Sequence, residues 1–258
     1  MRAILTYHSI DDSGSPVSLA PAAFAAHVRW LASARVRVLT LDALVAASVS
    51  PVSASDASNA GDAVALTFDD GFVNFAEHAA PLLREHGLPA TIFVVSRHVG
   101  ATNAWGGRRQ PGIPTLPLLS WDSLGRLAES TVAIGGHTRT HARLGALSAS
   151  EADDEIIGGV EDIRARLGLQ PTAFAYPYGD APDAAVTTVR RHFAAGVTTA
   201  LRELGTSEDP AALPRLDAYH LRQPGRLESW GSPAFRINLR VRAAARAVRR
   251  ACRAGIPA

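Results

Sequence analysis

The amino-acid sequence predicts an α/β protein, and more closely a distorted, incomplete (β/α) barrel of about seven units. Short β-forming runs alternate with helical patterns along the 258 residues, which is typical of βα units that build a parallel sheet. One apolar run, Ala63 to Phe68, ends abruptly in Asp69 and Asp70. Barrels of this class carry their catalytic residues at the carboxyl ends of buried strands. A length of 258 residues is also common for a barrel that forms a single domain.

The predicted elements follow one another in strict alternation. The strands are Ala3 to Tyr7, Val36 to Leu39, Ala63 to Phe68, Ala90 to Val95, Val132 to Gly135, Thr172 to Tyr176 and Ala195 to Thr198. The helices are Pro21 to Ala34, Leu41 to Ala47, Phe72 to His86, Trp121 to Ser130, Ser150 to Leu167 and Pro182 to His192. Pro21 suits a first helical turn, and Ser148 with Glu151 forms a capping-box pattern.

Two segments interrupt the alternation. Ser48 to Asp62 consists of small and polar residues and predicts a surface loop. Gly100 to Leu119 is long and irregular, and loops of that length are often functional. In a barrel this second segment would lie on the rim above the site. Its Trp105 would then either stack on the ring of a bound substrate or pack within its own loop.

Composition describes an ordinary soluble protein, with 47% hydrophobic and 19% charged residues. The single cysteine, Cys252, excludes an internal disulfide framework. No run approaches the ~18 apolar residues that span a bilayer. The sequence opens directly on a predicted strand, without a charged leader or a cleavage site, so we expect a cytoplasmic protein.

The candidate site combines the carboxylates that follow Phe68 with His137 and His141. One carboxylate and two imidazoles form a ligand set that suits Zn²⁺ or a similar divalent ion, and the other aspartate would remain available as a base. The i, i+4 spacing brings both rings to one side of a helical turn or across a tight loop. The alternative is that Asp69-Asp70-Gly71 is a simple turn and that both histidines lie at the surface.

Four motifs together resemble the polysaccharide deacetylase family, the NodB-homology carbohydrate esterases. They are Thr67-Phe-Asp-Asp-Gly71, His137-Thr-Arg-Thr-His141, Phe174-Ala-Tyr-Pro-Tyr-Gly179 and Ile4-Leu-Thr-Tyr-His-Ser-Ile10. The last motif is similar to the opening strand of the branch with an N-terminal Tyr-His-Ser signature. The resemblance covers roughly residues 3 to 220 and implies the NodB-homology fold and a metal-dependent deacetylase.

The resemblance also implies a role for several residues. Asp70, His137 and His141 correspond to the metal ligands, with Zn²⁺ the expected ion and other divalent transition metals as alternatives. Asp69 corresponds to the catalytic base, and the backbone N–H of Tyr178 to a donor for the oxyanion.

Two roles are less directly assigned by the motifs. The general acid is expected to be His8, as in the Tyr-His-Ser branch, with His220 as the late alternative that the better-known branch would use. That branch also has an arginine in its third motif that pairs with the base, where this chain has Ala175. Arg215 is the replacement that we expect, because a guanidinium holds a carboxylate through a two-point fork.

The other histidines carry no ligand spacing, and we expect all five at the surface. They are His27, His78, His86, His98 and His192.

The chain is expected to divide into a catalytic domain, residues 1–230, and a basic helical tail, residues 231–258. Seven of the 26 arginines and no acidic residue lie in the tail. Apolar residues recur there at helical spacing between Phe235 and Arg253, which predicts an amphipathic helix and allows weak peripheral association with an anionic membrane. Nucleic-acid binding is not expected, because no recognised motif accompanies the arginines.

Three functions remain open from the sequence. The leading one is removal of N-acetyl groups from amino sugars of a polysaccharide or its precursor, which can be lipid-linked. The second keeps the site but acts on formyl or other amides. The third is a catalytically silent carbohydrate-binding module, against which the complete set of candidate residues argues.

Overall fold

The computed structural model describes residues 1–33, 35–49 and 61–254, and all structural statements refer to these residues. The strands are β1 (Arg2–Tyr7), β2 (Ser9–Ile10), β3 (Ser18–Leu19), β4 (Arg37–Val38), β5 (Ala63–Phe68), β6 (Ala90–Val94), β7 (Val132–Gly136), β8 (Ala173–Ala175), β9 (Ala195–Val197) and β10 (Leu216–Asp217). The α-helices are α1 (Pro21–Ala32), α2 (Leu41–Val49), α3 (Ala80–Glu85), α4 (Trp121–Ala128), α5 (Ala149–Leu167), α6 (Asp183–His192) and α7 (Pro233–Ala254).

Eight of these strands form one parallel sheet in the order β10-β1-β5-β6-β7-β8-β9, and β4 pairs with the start of β5. The sheet curls into a half-barrel, which confirms the predicted incomplete (β/α) barrel. Because all strands run in the same direction, their carboxyl ends share one rim. Residues that follow β1, β5, β7, β8 and β10 are therefore brought together there.

The seven predicted strands are all present, mostly within two residues of their predicted ends. The two-residue strand β10 and the small sheet of β2 and β3 were not predicted. The predicted helix Phe72 to His86 begins with a π-helical turn, Phe75–Ala79, before α3. The capping box of Ser148 and Glu151 is present at the start of α5.

The predicted surface loop Ser48 to Asp62 lies mostly outside the described residues. Its first two residues belong to α2, which extends to Val49. No helix in the described ranges is both long enough and apolar enough to cross a membrane.

The main core lies between the sheet and the helices on its outer side. Tyr7 and Phe68, on the paired strands β1 and β5, stack with ring centroids 5.0 Å apart. Phe24 of α1 and Phe75 pack edge-on against Phe68. This aromatic contact lies directly beneath the residues that follow the two strands, and it therefore fixes the direction in which those residues leave the sheet.

His27 is buried rather than exposed, so its predicted surface position is wrong. Only 5% of its surface is accessible. Its Nε2 lies 3.1 Å from the carbonyl oxygen of Leu221, and its Nδ1 lies 3.3 Å from the hydroxyl of Tyr7. The carbonyl can only accept, so Nε2 carries the proton and Nδ1 accepts from the tyrosine. Burial lowers the pKa of His27, which favours this neutral form.

The helix α7 packs on the main core through Phe235 and Leu239, which are 3% and 6% exposed. Ile237 and Val241, on the opposite side, are 59% and 62% exposed. The predicted amphipathic helix is thus present, and the apolar stripe that contains Ile237 and Val241 faces outward.

Alanine substitution of two glycines would test how tightly the barrel wall is packed. A Cβ on Gly196 of β9 would lie 2.3 Å from the carbonyl oxygen of Ala211, whereas a Cβ on Gly125 of α4 would lie 3.8 Å from the nearest atom. We expect Gly196→Ala to lower the free energy of unfolding by about 1–3 kcal/mol through overpacking. Gly125→Ala should raise it by up to about 1 kcal/mol through helix propensity. Urea unfolding measures both, and equal midpoints would contradict the expected packing difference.

Candidate active site

The two adjacent carboxylates lie where β5 ends and the backbone turns. Asp69 and Asp70 are only 3% and 8% exposed. Asp70 and Gly71 both have left-handed backbone conformations, with φ of 73° and 78°. Adjacent side chains of a strand point to opposite sides, so this turn is what brings both carboxylates to one site. Aspartate tolerates that conformation better than most residues, and glycine tolerates it freely.

His137 and His141 lie on a tight loop, which was one of the two predicted arrangements. β7 ends at Gly136, immediately before His137. The loop folds back because Thr138 and His141 have φ of 65° and 62°, and the backbone N–H of His141 donates to the Thr138 hydroxyl at 2.9 Å. The two imidazole centroids are consequently 4.9 Å apart.

Asp70, His137 and His141 form a cluster that fits a metal ion. The Nε2 atoms of the two histidines lie 3.5 and 3.3 Å from Oδ1 of Asp70, and one ligand atom from each residue lies within 4.8 Å of the others. Among the described residues, Oδ1 of Asp70 is buried without a hydrogen-bond partner. An unpartnered buried anionic oxygen that faces two imidazole nitrogens is a suitable environment for a divalent cation.

The orientation of His137 is set by a backbone group. Its Nδ1 lies 2.7 Å from the carbonyl oxygen of Ala175, which follows from the pairing of β7 with β8. Nδ1 therefore carries a proton, and Nε2 is directed toward Asp70. Burial opposes ionisation of Asp70, but the two neighbouring imidazoles outweigh it and hold the pKa of Asp70 well below its ordinary range.

Arg215 holds Asp69 by the two-point contact that the sequence suggested. Its Nη1 and Nη2 donate to the two carboxylate oxygens of Asp69 at 2.7 and 2.6 Å. The arginine is 1% exposed and also donates to the Thr67 hydroxyl and the Thr198 carbonyl. Burial would raise the pKa of Asp69, but the guanidinium outweighs this effect and lowers it. Asp69 is therefore ionised and fixed in orientation.

Of the two histidines considered as the acid, His8 is the one at the pocket. It follows β1, its Nε2 lies 3.7 Å from Oδ2 of Asp69, and its side chain is 21% exposed. His220 follows β10 in a short helical turn, and its Nδ1 lies 3.3 Å from Nη1 of Arg242. The pocket wall in the described part of the chain contains His8 but not His220.

Tyr178 lies on the turn Pro177–Gly179 with a left-handed φ of 60°. Its ring meets the edge of the His141 ring at a centroid distance of 4.6 Å. The guanidinium of Arg143 lies over the same ring, 4.0 Å from its centroid. The third motif is thus packed directly against the candidate metal ligands.

The ring of Trp105 stacks on the imidazole of His141, with centroids 4.4 Å apart and planes at 20°. Trp105 is 9% exposed and belongs to the pocket wall. Asn103 fixes the surrounding loop with two hydrogen bonds. Its Nδ2 donates to the Pro114 carbonyl, and its Oδ1 accepts from the backbone N–H of Leu116. The tryptophan therefore supports a candidate ligand, a position that neither sequence interpretation described.

These residues surround a pocket of about 330 Å³ at the carboxyl rim of the sheet. The candidate base and ligands form its floor. Its walls come from separate parts of the chain and include Val17, Ile113, Asp217 and Arg246. The presence of Asp217 and Arg246 shows that β10 and α7 also contribute to the site.

Glu155 of α5 holds the histidine loop and was not among the predicted site residues. Its carboxylate accepts hydrogen bonds from the backbone N–H groups of Arg139 and Thr140, at 3.0 and 2.9 Å, and from the Thr140 hydroxyl at 2.8 Å. Gly159 lets the helix approach, because a Cβ there would lie 3.1 Å from the Thr138 carbonyl carbon. No sequence signal indicates these contacts, since they depend on how α5 is rotated against the loop.

Comparisons with known proteins point to one family. The family model described as polysaccharide deacetylase matches residues 56–197. The Bacillus subtilis (strain 168) protein YxkH, whose name assigns it to the polysaccharide deacetylases, is 26% identical over 176 residues. That alignment covers 68% of this chain and 56% of YxkH, so the chain matches only about half the length of this relative.

Solved structures share the fold. The Streptococcus pyogenes deacetylase PplD in complex with acetate is 19% identical with a TM-score of 0.67, over 83% of this chain and 91% of that one. IcaB from Ammonifex degensii is 24% identical with a TM-score of 0.68, over 89% and 93%. BA0330 from Bacillus anthracis is 22% identical with a TM-score of 0.66, over 84% and 64%.

The contacts of Glu155 lead to a test of metal binding. We expect Glu155→Gln to weaken Zn²⁺ binding by about 10–100-fold, because the loop that carries both histidines loses acceptors that fix its shape. Glu161→Gln, at an exposed position of the same helix, is the matched control. Isothermal titration with Zn²⁺ measures both affinities. If the two variants bound Zn²⁺ equally well, Glu155 would have no role in positioning the ligands.

Proposed function

Because this chain belongs to the polysaccharide deacetylase family, we propose that it is a metal-dependent hydrolase that removes N-acetyl groups from amino sugars of a polysaccharide or its precursor. The observation that carries the proposal is the buried Asp70, His137 and His141 cluster beside an aspartate held by Arg215. Residues 1–230 would form the catalytic domain. The opening strand with Tyr7-His8-Ser9 favours the Tyr-His-Ser branch of the family.

The reaction needs an activated water and an activated acyl group, because an amide is a poor electrophile. A divalent ion held by Asp70, His137 and His141 would lower the pKa of a water molecule and polarise the acyl oxygen. Two imidazole nitrogens and one carboxylate oxygen favour Zn²⁺, with other divalent transition metals as alternatives. The three ligands leave room for water or substrate on the pocket side.

Asp69 would accept the proton from the attacking water, since it is ionised and lies at the floor of the pocket. Arg215 keeps the carboxylate in one orientation, so the base does not have to reorganise during the reaction. The backbone N–H of Tyr178 would donate to the oxyanion as charge develops on the acyl oxygen.

His8 would then protonate the leaving amine. It is the more suitable of the two histidines because it lies close to Asp69 and lines the pocket, whereas His220 contacts Arg242. Release of the amine would yield acetate and the free amino sugar, and the proton taken up by Asp69 would restore the acid.

Two alternative functions are compatible with the same fold. The site would also suit removal of a formyl group, or of another acyl group on nitrogen, from a lipid-linked sugar. A catalytically silent carbohydrate-binding module is disfavoured, because burying two adjacent carboxylates is costly and sugar binding does not require it. Release of acetate or formate from a panel of substrates separates the two enzymatic functions.

We further propose that the outer face of α7 associates weakly with anionic bilayers. Among the described residues, Ile237 and Val241 are the exposed large hydrophobic side chains, and they lie one turn apart. Arg236 and Arg240 flank them on an exposed side of the helix, and residues 231–258 contain no acid. An apolar stripe beside arginines matches an anionic lipid surface. This association would be consistent with a cytoplasmic location at the inner membrane face.

The assignment of the base leads to a direct test. We expect Asp69→Asn to lower acetate release from N-acetylglucosamine oligomers by about 10²–10⁴-fold, because the amide cannot accept the proton. The Zn²⁺ content should not change, since Asp69 is not a proposed ligand. Asp122→Asn, at an exposed position of α4, is the control and should leave turnover unchanged. Turnover by Asp69→Asn at the level of the control would exclude Asp69 as the base.

A second test concerns the positioning of that base. Arg215→Lys retains a positive charge but cannot form the two-point contact. We expect turnover to fall at least tenfold while metal content stays the same, because the carboxylate is no longer held in one orientation. Atomic absorption and acetate release measure the two quantities. An unchanged turnover would show that the contact between Arg215 and Asp69 is structural only.

Membrane association can be measured by sedimentation with vesicles. Binding should be stronger to vesicles that contain phosphatidylglycerol than to neutral phosphatidylcholine. Arg240→Gln should weaken that binding by about fivefold, the effect of one charge near an anionic surface. Arg236 is not the test position, because its Nε lies 3.4 Å from a carboxylate oxygen of Glu203. Arg164→Gln, at an exposed position of α5, removes one charge elsewhere and is the control. Equal binding by the two variants, or no preference for anionic vesicles, would show that the outer face of α7 does not bind membranes.

A further inference from the structure

The irregular segment of residues 100–119 holds an aromatic ring against one of the candidate metal ligands. Trp105 stacks on the imidazole of His141, with ring centroids 4.4 Å apart and an angle of 20° between the planes. The ring of Tyr178 meets the same imidazole edge-on at a centroid distance of 4.6 Å. Since His141 is only 8% exposed, these two rings restrict how far its imidazole can rotate.

The imidazole of His141 is not fixed by a hydrogen bond, in contrast to that of His137. Nδ1 of His137 donates to the carbonyl oxygen of Ala175 at 2.7 Å. Nδ1 of His141 is buried and has no hydrogen-bond partner among the described residues. A histidine that binds a metal is usually oriented by a hydrogen bond from the nitrogen that faces away from the ion. In His141, the stacked ring of Trp105 is the contact that can take this role.

Trp105 is itself held by packing on several sides. It forms a small hydrophobic cluster with Phe72, Val95 and Leu118. The ring of His98 also meets it, at a centroid distance of 4.9 Å with planes at 79°. Because only 9% of Trp105 is exposed, the tryptophan supports a ligand rather than offering a face to a sugar ring.

The same segment is bonded to the turn that carries Asp70. The backbone N–H of Leu119 donates to the carbonyl oxygen of Gly71 at 2.8 Å, and the backbone N–H of Val73 donates to that of Pro117 at 3.0 Å. Both bonds join the segment to backbone groups that follow Asp70 within three residues. Residues 100–119 therefore contact the turn after β5 directly and, through Trp105, a ligand on the loop after β7.

We propose that Trp105 is a positioning residue for the metal site, because its ring sets the rotation of the His141 imidazole so that Nε2 faces Asp70 and the cation. The inference rests on the metal site of the proposed function. In that site Nε2 of His141 lies 3.3 Å from Oδ1 of Asp70. Without the stacked ring the imidazole rotates more freely, and the ion meets a ligand that is no longer held in place.

Two substitutions at position 105 separate stacking from the filling of space. Trp105→Phe and Trp105→Leu both leave a cavity in the cluster with Phe72 and Leu118, but only phenylalanine keeps a flat ring that can stack on an imidazole. The two metal-free variants should therefore melt at similar temperatures, below that of the unaltered protein. We expect Trp105→Leu to weaken Zn²⁺ binding by about 10–100-fold, which is typical of losing a residue that orients a ligand. Trp105→Phe should retain most of the affinity.

Isothermal titration with Zn²⁺ measures these affinities, and the visible absorption of bound Co²⁺ reports the geometry of the ligands. The Co²⁺ bands should change in Trp105→Leu and persist in Trp105→Phe, whereas a tryptophan that only fills space would lower both melting temperatures and leave the bands unaltered. Equal Zn²⁺ affinities of the two variants would overturn the role of Trp105. Absence of Zn²⁺ binding by the unaltered protein would contradict the metal site and the inference together. Neither readout requires acetate release, so a failure of the proposed activity is recognised separately.

Nuclear magnetic resonance of the unaltered protein tests the stack without any variant at position 105. The ring current of an indole shifts the signals of protons above its face upfield. In the Zn²⁺-loaded protein we therefore expect the ring protons of His141 upfield of those of a zinc-bound imidazole in water. The His141 signals are assigned by their loss from His141→Gln. Signals at the position of the free zinc-bound imidazole would show that Trp105 does not stack on the ligand, and would overturn the proposal.

Discussion

The site depends on the burial of two adjacent carboxylates, Asp69 and Asp70, at the end of one strand. Neither negative charge is stable there alone, because burial removes its hydration. The protein compensates them separately: Arg215 pairs with Asp69, while the imidazoles of His137 and His141 face Asp70. This separation gives the two residues different roles. The carboxylate that the guanidinium contacts at both oxygens is held in place, and the other keeps an oxygen available for a cation.

The parallel sheet explains why the partners come from distant positions in the sequence. β5 lies beside β1 and β6, and β7 lies beside β6, so the residues that follow these strands share one rim. Each strand contributes through its first residue beyond the sheet: His8 after β1, Asp69 after β5 and His137 after β7. Left-handed backbone conformations at Asp70, His141 and Tyr178 then reverse the direction of the chain soon after it leaves the rim. Such strained positions are maintained because the packed sheet beneath them leaves the chain few alternatives.

Much of this arrangement could be predicted because strand ends and motif spacing are local properties of the sequence. The seven strands that alternate with helical patterns, the histidine loop as one of two arrangements, and the contact of Arg215 with Asp69 were all anticipated. His27 was not, because its burial depends on which side of α1 meets the sheet, and alanine-rich helices give little periodicity. The same reason applies to Glu155, whose three hydrogen bonds to the histidine loop require a particular rotation of α5. Helix rotation is set by tertiary packing, which a single sequence does not display.

The rotation of α7 decides which of its side chains face the pocket. The sequence shows apolar residues on one side of this helix and arginines on the other, a pattern that usually buries the apolar side. In the structure the first turns are anchored by Phe235 and Leu239, and continuation of that side along the helix brings Arg242 and Arg246 inward. Ile237 and Val241 must then face outward. The packing of Phe235 and Leu239 thus decides both that Arg246 faces the pocket and that the stripe with Ile237 and Val241 stays exposed.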